Sequence, residues 1–513
     1  MKNSRTENSI QNVKTGLIVQ LVNKIMVFIV RTVFIKCLNT EYLGVHGLFG
    51  NILTILSFAE LGIGTAIIYN MYKPVAEDDK EKIKSLMKLY KQSYNIIGVI
   101  VFILGLLVIP FMGYIVKDVP NIKENIIFIY LLFLFNTSVS YFFTYKKSII
   151  IAYQKQCIIN NIDTLCYIFR GLLEIIILIV TKNFILYLLI EIVMTILENV
   201  VIAIKANKMF PYLKDYDVKK IDKLEKKRIF ENVKSLVVYQ FGAVVMNGTD
   251  NILISSLINV NTVGLCSNYT MIINAIKSVL QTSLNGITAS IGNLNATGSV
   301  EQKEKIFYQL TFINYIIYSF CTISFIVLLN PFVEIWLGSK YVLTLSVSIA
   351  LSTSFFIDGI RQPGFAYRTT LGLFNKSKMT PYIGTITNIV LSILLCKMMG
   401  VTGIFVATCI AQLCSYSWID PYLIHKYEFK TSVWKYYKKY LIYAITYFIE
   451  MVICLFISNF INFNLYLDFV IKCIIVMIVP NVLNLIIYCR TDEFISLKQK
   501  FISPILVKLI KGK

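Results

Sequence analysis

The sequence predicts an all-α polytopic membrane protein of about fourteen transmembrane helices. Three observations predict it. Apolar stretches of about 20 residues recur along the whole chain, and a helix rising about 1.5 Å per residue needs that many to cross about 30 Å of hydrocarbon. The composition, 56% hydrophobic over 513 residues with a mean hydropathy of +0.68, exceeds the apolar share of soluble domains. The positive charge gathers in alternate gaps between the stretches, which is the asymmetry that orients helical membrane proteins.

In chain order the spans fall at about 15–37, 43–72, 92–115, 125–147, 157–181, 183–205, 233–258, 262–288, 306–330, 341–361, 380–399, 402–424, 439–460 and 466–489. The first begins near Gly16, carries Lys24 and Arg31, and lacks a small-residue cleavage site, so it reads as a spanning helix and not a cleaved signal. Between the second and third, Ile83, Leu86, Met87 and Tyr90 keep helical spacing within the basic run Lys80 to Lys91. Both a short amphipathic helix on the anionic inner leaflet and a solvated loop fit that run. The fifth and sixth spans are joined by Thr181-Lys182-Asn183, which demands a tight antiparallel hairpin.

The longest polar connection, 206–232, divides an N-lobe at 1–205 from a C-lobe at 233–424, each with six helices. Residues 425–513 supply helices 13 and 14 and a basic tail, in which Phe494, Leu497, Phe501 and Ile505 repeat the amphipathic pattern.

Placing the N-terminus in the cytoplasm puts about 40 of the 50 Lys and Arg on the cytoplasmic side, with both termini there. The formal charge of +21 is thereby explained by membrane orientation. Nucleic acid is not the expected partner, because no basic face with interleaved aromatics lies outside the spans. The eleven cysteines contain no Cys-x-x-Cys pair, and most, such as Cys166, Cys321, Cys409 and Cys473, fall inside apolar spans. His46 and His425 have no ligand-spaced partner, so no metal site is expected. No phosphate-binding Gly-Lys-Ser/Thr loop and no Ser/His/Asp set is present, and no enzymatic activity is expected.

A weak internal repeat supports two pseudo-symmetric lobes. Arg31-Thr32-Val33-Phe34, Leu38, Leu43-Gly44 and Asn51-Ile52-Leu53 match Asp250-Asn251-Ile252-Leu253, Leu257, Val263-Gly264 and Met271-Ile272-Ile273. Arg31 and Asp250 occupy equivalent places in this register. Transporters are commonly built from duplicated halves with substrate held between them.

Charged side chains within spans carry the functional signal, since each costs about 2.5–3.5 kcal/mol at a helix centre. Gln20, Lys24 and Arg31 form one stripe of the first helix, with Lys24 and Arg31 about 10 Å apart and no acid on that helix to pair them. They suit a phosphate or pyrophosphate, or else pair with neighbouring acids, of which Glu60 is one. Asp163, Arg170 and Glu174 share a face of the fifth helix, where Arg170 can pair with Glu174. Asn247, Gly248, Thr249, Asp250 and Asn251 make a polar cluster in the seventh that could bind Na⁺, cycle a proton, or present Asp250 to Arg31. Asp358 and Arg361 end the tenth, where Arg361 could guard a cavity mouth or mark the interface, and Lys277 could snorkel to the surface.

Glu41-Tyr42-Leu43-Gly44, Ala59-Glu60-Leu61-Gly62-Ile63-Gly64, Tyr72-Lys73-Pro74 and Gly248-Thr249-Asp250-Asn251 resemble the polysaccharide-biosynthesis flippases. These are the O-antigen/teichoic-acid type of exporter in the multidrug/oligosaccharidyl-lipid/polysaccharide exporter superfamily. Asn39 departs from that pattern, which has glycine there. The resemblance implies two rocking six-helix lobes around a central cavity, with helices 13 and 14 outside that core. It implies a polyprenyl-pyrophosphate-linked oligosaccharide carried from the inner to the outer leaflet of the cytoplasmic membrane for cell-surface polysaccharide biosynthesis. Membrane lipids, and other polysaccharide-assembly proteins, are the remaining partners it brings.

The substrate-binding candidates are thus Lys24, Arg31, Arg170, Arg361, Gln20 and Glu60, and the ion-coupling candidates are Asp250, Asn251 and Thr249. No cofactor is expected beyond a coupling Na⁺ or H⁺. The alternatives are a cation-coupled multidrug exporter of the same superfamily and a membrane polysaccharide polymerase. The polymerase would need larger loops than the longest one here, of about 27 residues.

Overall fold

The computed structural model describes residues 5–60, 63–117, 120–214, 221–222, 226–227, 229, 231, 244–245, 248–373 and 376–499. Among them every regular element is helical. The helices are α1 (Arg5–Cys37), α2 (Thr40–Leu56), α3 (Ile63–Ala76), α4 (Lys80–Val108), α5 (Met112–Ile115), α6 (Ile126–Ala152), α7 (Gln156–Thr181), α8 (Phe184–Met209) and α9 (described over 248–257). There follow α10 (Val260–Thr297), α11 (Val300–Leu337), α12 (Leu345–Ile360), α13 (Gln362–Thr370), α14 (Thr380–Met399), α15 (Val401–Cys414), α16 (Tyr416–Ile424), α17 (Trp434–Asn459), α18 (Leu465–Tyr488) and α19 (Asp492–Leu497). Among the described residues nine stretches are long and apolar enough to cross a membrane. Helix also occurs in the described parts of the first, second, seventh, eighth and tenth expected spans. The chain is an all-α polytopic membrane protein. Leu61, Gly62, Asn247, Phe501 and Ile505 lie outside the described residues.

The chain divides into two compact units, Met1–Ser267 and Asn268–Lys513. This division falls inside α10 and not at 206–232, so α9 belongs with the first unit.

In the first unit α1 packs on α7, α4 on α6, and α6 and α7 on α8. The connection between α1 and α2 is capped by Asn39, whose side chain accepts from the backbone of Glu41 at 3.1 Å and Tyr42 at 3.2 Å. Its φ of −88° needs no glycine, which accounts for the departure from the family pattern. At the expected hairpin, Lys182 takes a left-handed φ of 50° to end α7, and Asn183 caps α8 by accepting from Leu186 N at 3.1 Å.

Three expectations are corrected here. The second span is not one helix. It stops at Leu56, where the Ser57 hydroxyl donates to Leu53 O at 2.7 Å, and a 3₁₀ turn over Ser57–Glu60 follows. The basic run Lys80 to Lys91 is neither a membrane-surface helix nor a loop but the first turns of α4. Its Ile83, Leu86, Met87 and Tyr90 are buried against Met71, Ile149, Ile159 and Ile202, so protein and not lipid covers the apolar face. The 206–232 segment is not a free linker over its described part. Phe210 packs on Tyr153 at 4.5 Å, Tyr153 and Tyr212 hydroxyls meet at 3.1 Å, and Ile229 is buried in the same core.

In the second unit the 38-residue α11 is the central element, touching α12, α13, α17 and α18. The helices expected outside the core, α17 and α18, seat on it through aromatic stacking: Tyr315 lies on Tyr443 with centroids 4.5 Å apart, and its hydroxyl donates to Asn484 Oδ1 at 3.0 Å.

Candidate functional site

Packing of α1 against α7 decides which charges of the first unit meet. Gly171 lets the helices close up, since a β-carbon there would stand 2.8 Å from Met26 Cγ. Beside that contact lies a cavity of about 140 Å³ lined by Arg31 and Phe34 of α1, His46 of α2, Arg170 and Glu174 of α7 and Tyr187 of α8.

The two guanidiniums in this cavity are held differently. Arg170 Nε donates to Glu174 Oε1 at 2.6 Å, and its Nη2 lies 3.1 Å from Glu191 Oε1 on α8. Both carboxylates therefore close on Arg170. Arg31 Nη1 donates to the hydroxyl of Ser267 at 3.1 Å, and among the described residues no carboxylate pairs with it. The Arg31–Asp250 pairing left open by the sequence is not formed. Glu191 Oε2 lies 3.8 Å from His46 Nε2, beyond hydrogen-bond reach, and neither atom has another hydrogen-bond partner among the described residues. Counting His46 as neutral, the two arginines and two glutamates balance. An anion arriving here meets the donors of Arg31, because those of Arg170 are engaged.

The other predicted residues fall as follows. Lys24 is half-buried on α1, two turns before Arg31, with no ion pair among the described residues; Gln20 is half-buried a turn earlier. Glu60 is not the acid for these cations. The 3₁₀ turn directs its carboxyl to α4, where it accepts from the Tyr94 hydroxyl at 3.2 Å. Asp163 does not join Arg170 either: it lies 3.4 Å from Lys147 Nζ, which also reaches Glu198 at 2.8 Å.

Thr249, Asp250 and Asn251 sit on α9 where it packs on α2. A β-carbon on Gly248 would stand 2.8 Å from Ile55 Cγ1, one on Gly47 would stand 3.9 Å from Asn251 Nδ2, and Asp250 is within electrostatic reach of the Cys266 thiol.

In the second unit Arg361 is held at 2.9 Å (Nε) and 2.5 Å (Nη2) from Asp358 Oδ1 and stacks over Tyr416 at 4.4 Å. Lys277 does not snorkel. It pairs with Asp358 Oδ2 at 2.7 Å, so two cations share one carboxylate. Within the unit this leaves a net positive charge that Arg361 alone would not have.

Sequence reasoning missed Glu191 and Glu450. Each is an acid inside an apolar span, Glu450 the lone acid of its span and Glu191 sharing its span with Glu198, and the cost of placing it there was the available signal. It also missed His46, whose nearness to Glu191 depends on the α2–α8 packing and has no expression in spacing.

No protein-family model matches the sequence, and neither does the sequence of any curated protein. Solved structures do match. An inward-facing multidrug resistance MATE family transporter of the MOP superfamily superposes with a TM-score of 0.59 at 16% identity, covering 78% of this chain and 96% of that one. The lipid II flippase MurJ in an inward closed conformation superposes with a TM-score of 0.62 at 15% identity, over 93% of this chain and 99% of its own. A Vibrio cholerae MATE transporter, VcmN, in a variant with one aspartate changed to asparagine, gives 0.57 at 13% identity, over 83% and 99%. At these identities the likeness is one of fold: this chain has the helical architecture of the MATE transporters and the lipid II flippase.

Proposed function

We propose that the chain is a flippase that carries a polyprenyl-pyrophosphate-linked oligosaccharide from the inner to the outer leaflet of the cytoplasmic membrane by alternating access, for assembly of a cell-surface polysaccharide. The observation that carries this reading is Arg31, an intramembrane guanidinium that lines a cavity without a carboxylate partner among the described residues. Its planar fork of donors matches a phosphate oxygen pair. Lys24, about 10 Å along the same stripe, offers a second positive point, and Gln20 a neutral one. Lys277 and Arg361, sharing Asp358, supply a further excess cation in the second unit.

The extent of the fold likeness favours a lipid-linked substrate. Residues after 424 make up about a sixth of the chain, so a match over 93% of it necessarily extends beyond residue 424, while matches over 78% and 83% need not. Expelling an anionic head group from an inside-negative cell releases about 2.3 kcal/mol per charge per 100 mV. Thr249, Asp250 and Asn251 group a carboxylate, a hydroxyl and an amide oxygen on α9, a set suited to a coupling Na⁺ or H⁺.

The decisive experiment uses vesicles containing the purified chain and a fluorescent polyprenyl-pyrophosphate glycan whose leaflet is read by quenching. Arg31→Ala should slow flipping at least tenfold with normal insertion, and Arg31→Lys should retain part of the rate. An unchanged rate in Arg31→Ala removes the head-group site.

A multidrug exporter is the second reading, and Glu174 and Glu191 beside Tyr167 and Tyr187 are the groups that favour it, because acids and aromatics suit lipophilic cations. It predicts that such cations, and not pyrophosphate lipids, are transported.

A further inference from the structure

Glu450 is a fully buried acid of the second unit with no ion pair among the described residues. It lies in the middle of α17, about 24 Å of helix from Trp434 and about 14 Å from Asn459, and it is 0% exposed. One oxygen, Oε2, accepts from the Ser319 hydroxyl of α11 at 2.7 Å. The other, Oε1, has no hydrogen-bond partner among the described residues.

The neighbours explain why. On α11 the Tyr315 hydroxyl is engaged with Asn484 of α18 at 3.0 Å. On α18 the Tyr488 hydroxyl meets Thr446 at 2.8 Å. On α17 itself the Tyr447 hydroxyl meets Thr353 of α12 at 2.9 Å, and Cys454, one turn on, is buried. Tyr315, Tyr488, Tyr447 and Cys454 are the titratable groups that face Glu450 from these elements. Among the described residues no Lys, Arg or His reaches it.

An ionised carboxylate in this setting would have one hydroxyl donor and no cation among the described residues, which is among the costliest arrangements a protein interior can hold. A metal ion would not repair it, since the described residues offer only the Ser319 hydroxyl beside the carboxyl oxygens, too few for a hard cation. A proton neutralises the group without further ligands, and Ser319 can accept from the acid as readily as it donates to the carboxylate. We propose that Glu450 is a proton-binding site in the membrane interior, a carboxyl that keeps its proton while α17 is seated against Ser319 of α11. This site is separate from the Arg31 cavity and does not depend on what that cavity carries.

Difference infrared spectroscopy on the full chain in lipid vesicles tests it. At pH 6.3, two units above the ordinary glutamate value of about 4.3, a solvated glutamate is about 99% ionised. Glu450 should show there the carbonyl stretch of a protonated carboxyl, at a population roughly a hundredfold above that of a solvated residue, and the band should be missing from Glu450→Gln. No band difference between the two proteins at that pH overturns the proposal. If Glu450→Gln fails to assemble, Ser319→Ala decides: loss of the hydroxyl should shift the band of the native protein, and an unshifted band means that the absorbing carboxyl is elsewhere and overturns the assignment.

Discussion

Gly44 of α2 and Gly264 of α10 meet backbone to backbone. A β-carbon on Gly264 would stand 3.0 Å from Gly44 N, and one on Gly44 would stand 2.8 Å from Val260 Cγ1. These two glycines are matched positions in the weak internal repeat read from the sequence. The contact closes the same end of the helices where Ser255 Oγ donates to Ile115 O at 2.8 Å and Lys117 Nζ to Leu257 O at 3.0 Å. This seam lies within the first unit.

Gly264→Ala should therefore push α2 and α10 apart, at a cost of about 1–3 kcal/mol typical of overpacking. Cys266, fully buried two residues on, reports the result. Treatment with a maleimide followed by peptide mass spectrometry should leave Cys266 unlabelled in the native chain and label it in the variant. An unlabelled Cys266 in both would mean that the seam tolerates the added methyl group.

Arg31 and Arg170 line one cavity, yet their replacement should have opposite consequences. Arg31→Ala removes a guanidinium with no carboxylate partner among the described residues, so the helices should assemble normally. Affinity for inorganic pyrophosphate, measured by calorimetry, should then fall about 10- to 100-fold, the worth of one or two charged hydrogen bonds. Unchanged pyrophosphate binding would place the anion elsewhere.

Arg170→Met leaves Glu174 and Glu191 facing each other without their cation. Breaking a buried pair in this way costs about 3–5 kcal/mol, which corresponds to a fall in melting temperature of about 5–10 °C in detergent. Changing Glu174 and Glu191 to Leu in the same chain should recover most of that loss. A triple variant as unstable as the single one would show that Arg170 acts through packing and not through charge.

What the sequence could show here was set by the range of the interaction concerned. Each span is a local property, about 20 apolar residues, and the described residues of every expected span contain helix. The Arg170–Glu174 pair is local too, one helical turn, and it forms at 2.6 Å. The apolar face of Lys80 to Lys91 was legible as a pattern, but only the fold decides that Met71 and Ile149 cover it in place of lipid. Glu191 closing on Arg170, Lys277 on Asp358 and Ser267 on Arg31 are contacts between distant helices, and no spacing rule carries them. The break after Leu56 lay between: Ser57 and the following glycines weaken a helix, but the long apolar run concealed it.

Asp250 and Glu450 should separate two ion dependences of transport. Asp250 is half-buried on α9 between Thr249 and Asn251 in sequence, the residues proposed to couple Na⁺. Glu450 is fully buried with one oxygen unpartnered among the described residues, the setting proposed to hold a proton. In vesicles a tenfold gradient of either ion is worth about 1.4 kcal/mol per ion coupled, enough to change the accumulated ratio about tenfold. Asp250→Asn should abolish the response to a Na⁺ gradient and keep the response to a pH gradient. Glu450→Gln should do the reverse, and both should keep their response to voltage. If Asp250→Asn removes the pH response while Glu450→Gln preserves it, coupling resides on α9 alone, and the proton on α17 serves only the packing of that helix.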